Sequence, residues 1–134
     1  MKRVERDYSH RSLFDKLGVT AGAHVGLSGR HDETFVEELN VRLAKSASTR
    51  LLGIYDLIFV RIDRPADLRR IAAAATRLKP NGALWAFHPK GRGASPPDGQ
   101  VRAAGIAAGL VDNKISAYSE THTATRYVIP LIRR

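Results

Sequence analysis

Residues 56–88 constrain this chain more than any other stretch. Asp56–Asp63 encloses an unbroken apolar run, Leu57-Ile58-Phe59-Val60, that is mostly β-branched or aromatic. Such a run suits a strand covered on both faces, because a strand with one wet face alternates instead. Pro65 then sits where a first helical turn accepts proline. Leu68, Ile71, Ala72, Ala75 and Leu78 recur at helical spacing, with Arg69, Arg70 and Arg77 on the outer side. The helix is expected to end at Pro80 and the turn Asn81-Gly82. Ala83–Phe87 reads as a second buried strand. This β-α-β unit predicts two adjacent, parallel, central strands.

The remaining elements arrange themselves around that unit. Residues 1–9 mix charges without a period and predict a loose arm docked by Tyr8. Ser9 or Ser12 is expected to cap a short helix with Leu13, Phe14 and Leu17 inward and Gly18 as its stop. Val25–Leu27 reads as the first strand, with His24 and Ser28 at its margins. Asp32 is read as the N-cap of a short helix that faces Phe35, Val36 and Leu39 inward and Glu33, Glu37 and Glu38 to water. Val41, Leu43 and Ala47 alternate with polar residues, so a weak edge strand is expected there. His88–Gly99 is a Gly- and Pro-rich surface loop. A small-residue helix spans roughly Gln100–Ala108, with Asp98 before it and Gly109 after it. Val111–Tyr118 and Thr125–Leu131 are expected strands joined by Ser119–Thr123.

Alternating strands and helices predict an α/β fold, a mostly parallel sheet flanked by helices. The short last connection forces an antiparallel final strand. At 134 residues, one domain over 1–134 is expected. The series Tyr55–Val60, then Leu78-Lys79-Pro80-Asn81-Gly82-Ala83-Leu84-Trp85, then Ala108-Gly109-Leu110 before a strand pair, resembles the C-terminal half of Rossmann-like S-adenosylmethionine-dependent methyltransferases. Leu17-Gly18-Val19, Ala107–Lys114 and Thr121–Pro130 also resemble a small bacterial family with a reduced methyltransferase-like fold. That resemblance covers residues 8–132 and implies a fold rather than an activity.

Against the methyltransferase pattern, the cofactor motifs depart. The pattern near GxGxG, which lets backbone approach the cofactor, is met here by Gly26-Leu27-Ser28-Gly29-Arg30, with only Gly29 in the turn. The acid that the family places after its second strand to bind ribose has no counterpart in Ala44–Ser48. A third strand of the family is also not evident. The expectation is therefore a degenerate cofactor site: no cofactor, and S-adenosylmethionine bound weakly or not at all.

Charge and composition bound the partners. The net charge of +9 favours an anionic small molecule, an acidic protein partner or, more weakly, nucleic acid. The basic residues are dispersed, which also suits a plain solvated surface. No apolar run reaches membrane-spanning length and the first residues lack a signal-peptide core, so a cytoplasmic location and no membrane contact are expected. With no Cys, disulfides, thiolate metal sites and a Cys nucleophile are excluded.

In an open α/β sheet, ligands bind beyond the carboxyl ends of the parallel strands. The stretches expected on that rim are Ser28–Asp32, Lys45–Ser48, Arg61–Arg64, His88–Arg92 and Ser119–His122. The candidate ligand-binding residues are Ser28, Gly29, Arg30, Asp63, His88, Lys90, Arg92, Glu120 and His122. Asp63, Glu120, His88 and His122 can serve acid–base chemistry, and Pro89-Lys90-Gly91-Arg92-Gly93 pairs two cations with exposed backbone N–H groups, as a phosphate loop does. No metal set, nucleophile elbow or Walker loop is present. Trp85 and Phe87 are assigned to the core. The leading expectation is a methyltransferase-like binding or regulatory module without methyl transfer. The alternatives are a small enzyme acting on an anionic metabolite through rim His and carboxylate groups, and a basic nucleic-acid binder.

Overall fold

A computed structural model describes residues 13–134. The expected N-terminal arm, Tyr8 and the capping serines lie outside the described residues. The five-stranded sheet has the order β1-β2-β3-β5-β4, with β1 Val25–Ser28, β2 Tyr55–Arg61, β3 Leu78–Pro89, β4 Val111–Ala117 and β5 His122–Val128. β1, β2 and β3 pair in parallel, and β5 runs antiparallel to both neighbours. The two continuous apolar runs are adjacent strands, Leu57 opposite Ala83 and Phe59 opposite Trp85. The sheet is mostly parallel and helix-flanked, with the antiparallel final strand that the sequence predicts.

Alternation along the strands splits the core into two layers. Leu27, Leu57, Phe59, Trp85 and Phe87 face helix α1 (described over 13–17) and α2 (Glu33–Leu43). Ile58, Val60, Leu84, Ala86 and Tyr127 face α3 (Arg69–Ala75) and α4 (Asp98–Ala107). Both layers are dry, which is why neither central strand alternates apolar with polar. Gly105 of α4 lies directly over Tyr127. A Cβ there would come within 2.4 Å of the ring, so glycine sets the approach of helix to sheet.

Several sequence expectations need correction, among them the last strand, which runs over His122–Val128 and not Thr125–Leu131, and His88 and Pro89, which belong to β3 and not to the following loop. Val41–Leu43 is the last part of α2, not a strand. Extending the helix adds Leu43 to the buried Phe35–Leu39 stripe and leaves Val41 81% exposed. The expected edge strand contracts to one parallel bridge, Gly26 with Ser48. Leu78 is likewise not helical. The Thr76 hydroxyl bonds back to Ala73 O at 2.8 Å as α3 ends, and Leu78 pairs with Tyr55. The turn Lys79–Gly82 bulges out of β3 opposite the single residue Asp56, tied to it by Lys79 Nζ–Asp56 Oδ1 at 3.0 Å.

Candidate functional site

The carboxyl ends of β1, β2 and β3 share one rim with the end of β4, because β4 is antiparallel to β5 and so runs with the other three. Gly29 ends β1 with φ +89, and its Cα faces the Arg61 carbonyl so closely that a Cβ would lie 2.9 Å from it. The turn it makes delivers His31 and Asp32. His31 Nε2 lies 2.9 Å from Phe59 O and 3.1 Å from Ser28 O, so that nitrogen carries the proton and donates to both. The ring packs against Phe35 and Phe87. Burial lowers the His31 pKa, against the two carbonyls that favour its charged form.

Asp32 and Asp63 are joined through Arg61. Its Nη1 reaches Asp32 Oδ2 at 3.3 Å and its Nε reaches Asp63 Oδ1 at 3.0 Å. The Tyr118 hydroxyl donates to Asp32 Oδ2 at 2.9 Å, and burial, then the carboxylate, push its phenol above the ordinary value. His122 Nε2 donates to Asp63 Oδ1 at 2.9 Å and to Ile62 O at 3.1 Å. Its Nδ1 stands 2.8 Å from the Thr121 hydroxyl, which donates to it when the ring is neutral. The rim is thus a connected network: Tyr118, Asp32, Arg61, Asp63, His122, Thr121.

Beside that network is a cavity of 190 Å³, walled by Leu13, Phe14, Phe35 and Tyr118, with Asp32, Glu38 and Ser119 at its polar edge. Phe35 and Phe87 meet Tyr118 edge-on and stacked respectively, at centroid distances of 5.4 and 4.3 Å. The aromatic wall is therefore fixed by packing.

The candidates from the sequence divide. Asp63 and His122 come into direct contact, and Ser28 and Gly29 form the turn beside them. His88 is buried within β3 near His122, and is not part of the exposed loop expected from the sequence. Its Nε2 bonds the Thr125 hydroxyl at 2.8 Å, its Nδ1 lies 3.5 Å from Asp98 Oδ1, and burial lowers its pKa against the pull of Asp98. Arg30, Lys90, Arg92 and Glu120 are exposed, and their side chains have no partner among the described residues. The 380 Å³ hollow in the following loop is lined by Gly91, Gly93 and Asp98 among others, and neither Lys90 nor Arg92 reaches its wall. Lys45–Ser48 does not belong to the rim. Ser48 pairs in parallel with Gly26, so the residues before it enter from the amino ends. Trp85 and Phe87 are fully buried core. Among the described residues no group of three or more His, Asp or Glu side chains could hold a metal.

Sequence reading missed Phe35, Glu38 and Tyr118 as wall residues and gave Asp32 only a capping role. Asp32 in fact makes no side-chain cap to its helix, which frees its carboxylate for Arg61 and Tyr118. Nothing local to Tyr118 marks it, since its partners are 86 and more than 30 residues away in the chain.

No family model and no curated protein sequence matches the chain. Solved structures do. The chain is similar to the magnesium protoporphyrin IX methyltransferase ChlM from Synechocystis PCC 6803 with bound SAH, at 14% identity, a TM-score of 0.63, and 96% of this chain against 85% of that one. It is similar to a SAM-dependent methyltransferase from Aquifex aeolicus at 12% identity and a TM-score of 0.62, covering 90% and 89%. The CcbJ methyltransferase from Streptomyces caelestis matches at 10% identity and 0.56, covering 90% and 88%.

These neighbours correct one expectation. Missing motif glycines and a missing ribose acid led to the expectation of no cofactor and of weak or absent S-adenosylmethionine binding. The fold this chain adopts is instead one in which ChlM is solved with SAM and with SAH bound. Two motif positions were a poor basis for that expectation. A strand-end rim is built by the whole sheet, and carboxylates reach it from elements other than the second strand, here Asp32 and Glu38.

Proposed function

We propose that this methyltransferase-like domain binds an adenosyl ligand of the SAM and SAH class at the carboxyl ends of its strands, as a binding or regulatory module. The observation that carries the reading is the cavity with an aromatic wall and a carboxylate edge beside the Gly29 turn. Its donor set fits the ligand. Aromatic faces accept a purine or a sulfonium, and Asp32 and Glu38 accept from ribose hydroxyls or an ammonium. At 190 Å³ the cavity is smaller than the roughly 300–1,000 Å³ of most ligand pockets. It takes one half of such a ligand, and the other half lies over the rim. When bound, SAM supplies a transferable methyl group. What favours holding over transfer is that Asp63 and His122 are engaged with each other, His31 with backbone carbonyls, and Asp32 with Arg61 and Tyr118.

Calorimetry with SAM and with SAH tests the reading. Binding that falls at least about tenfold in Asp32→Asn combined with Glu38→Gln is expected, from the loss of charge-assisted hydrogen bonds. Absence of heat for both ligands at millimolar concentration sinks the proposal.

A second reading, an enzyme of the rim acting on an anionic metabolite, rests on the Asp63–His122 contact at 2.9 Å. The carboxylate orients the imidazole, and Nδ1 faces the exposed Thr121 hydroxyl, an arrangement suited to proton transfer. Turnover of phosphorylated or carboxylated metabolites that disappears in His122→Gln would favour it over the module. No helix among the described residues is long and apolar enough to cross a membrane. A cytoplasmic setting and a single working domain belong to the same proposal.

A further inference from the structure

The opposite end of the sheet carries a larger cavity, of 440 Å³, at the amino ends of β2 and β3. Its walls come from the Gly18–Ala23 turn, the Asp56 and Asn81 region and Arg126 of β5. The charges around it are unequal. Asp56 is already satisfied by Lys79 Nζ at 3.0 Å and by the His24 N–H at 2.8 Å. Arg126 is half-buried, donates to the Asn113 side-chain oxygen at 3.3 Å, and has no carboxylate partner among the described residues. Lys114, its cross-strand neighbour on β4, turns its amine to the Lys16 carbonyl at 3.2 Å, and Arg134 lies near enough that its charge adds to burial in disfavouring the Arg126 cation. A guanidinium partly withdrawn from water, with the Arg134 charge near it and no carboxylate paired to it among the described residues, is a costly arrangement that an oxyanion relieves.

We propose that this amino-end cavity is a binding site for a phosphate monoester, with Arg126 as its principal ligand. Arg126 grips two phosphate oxygens with its planar fork. Arg126 is the cation on the cavity wall, the one carboxylate there, Asp56, is already held by Lys79, and a phosphate monoester carries about −1.5 to −2 at neutral pH. The Thr20 hydroxyl and the Asn81 amide supply neutral donors on the cavity wall. In addition, the Thr20 and Ala21 N–H groups of the turn have no acceptor among the described residues. The site is at the far end of the strands from the adenosyl reading, and it stands or falls separately.

The probes are inorganic phosphate and glycerol 3-phosphate, titrated into the purified chain by calorimetry and by chemical shift of the Arg126 side chain. Saturable binding of glycerol 3-phosphate is expected, with Arg126 resonances moving. Arg126→Gln should weaken it roughly tenfold to a hundredfold. Asn81→Asp, an exposed substitution that adds an acid at the cavity wall, should weaken it comparably while leaving the fold intact. Lys90→Ala with Arg92→Ala, at the other end of the sheet, should leave it unchanged. No binding of either probe at 10 mM (about 2.7 kcal/mol of affinity), or binding that survives both cavity variants, or binding lost only in the Lys90 and Arg92 variant, overturns the assignment.

Discussion

The indole Nε1–H of Trp85, in the middle of the central strand, donates to the Leu17 carbonyl at the end of α1 across 3.1 Å and 68 residues of chain. Both residues are fully buried. The bond satisfies a carbonyl at a helix end, which would otherwise be orphaned in the core. It also ties the first helix to the strand that lies between β2 and β5. Trp85→Phe is therefore expected to lower unfolding free energy by about 2 kcal/mol, one part from the unpaired carbonyl and one from lost volume. Urea unfolding measures it, and a loss below about 0.5 kcal/mol would show that the bond does little.

Gly105 and Tyr127 set the spacing of α4. Gly105→Ala puts a methyl 2.4 Å from a ring that is itself buried on all sides. The better helix propensity of alanine gains under about 1 kcal/mol. Overpacking costs about 1–3 kcal/mol. Net destabilisation is expected, and pairing it with Tyr127→Leu should recover part of it. A more stable single variant in thermal unfolding would contradict the packing argument.

Acid should destabilise the fold before its carboxylates titrate. His31 and His88 both have folded pKa values below the ordinary 6.5, chiefly through burial. Below about 6.5 the unfolded chain then binds more protons than the folded one, so stability falls as pH drops. The window begins at 6.5 and lies above that of Asp56, whose folded pKa is depressed below 3.8, first by the His24 N–H, and which acts only in stronger acid. Melting temperature between pH 7.5 and 5 should fall in the parent and fall less in His88→Gln. A flat profile in the parent would refute this account.

Tyr118→Phe removes the hydroxyl from Asp32 but keeps the ring stacked on Phe87. Asp32 retains Arg61, so the cost is one charge-assisted bond at a partly exposed carboxylate, about 1 kcal/mol. Tyr118→Ala, which takes away the stacked ring, should cost about 3 kcal/mol or more. Equal stability of the two variants in denaturant would mean that the ring does not hold the cavity wall.

Much of this molecule was decided locally. Leu57–Val60 and Ala83–Phe87 were legible as central strands because two-sided burial leaves a continuous apolar run, and the short link into β5 left only an antiparallel closure. Val41–Leu43 was illegible because its alternation fits either period, and only the contact of Leu43 with the α1–α2 layer chooses the helix. Leu78 is similar: helical spacing continued to it, but pairing with Tyr55 is worth more than another helical residue. At the rim, residue types alone nominated Asp63 and His122. Their contact depends on β2 and β5 ending beside each other around β3. Tyr118, Asp32 and Arg126 took their environments from strand order alone, since the groups that partner or crowd them come from elements distant in the chain. Periodicity records which face of an element is dry. Which side chains meet at the ends of a sheet is set by the order of its strands, and that is a property of the assembled tertiary structure.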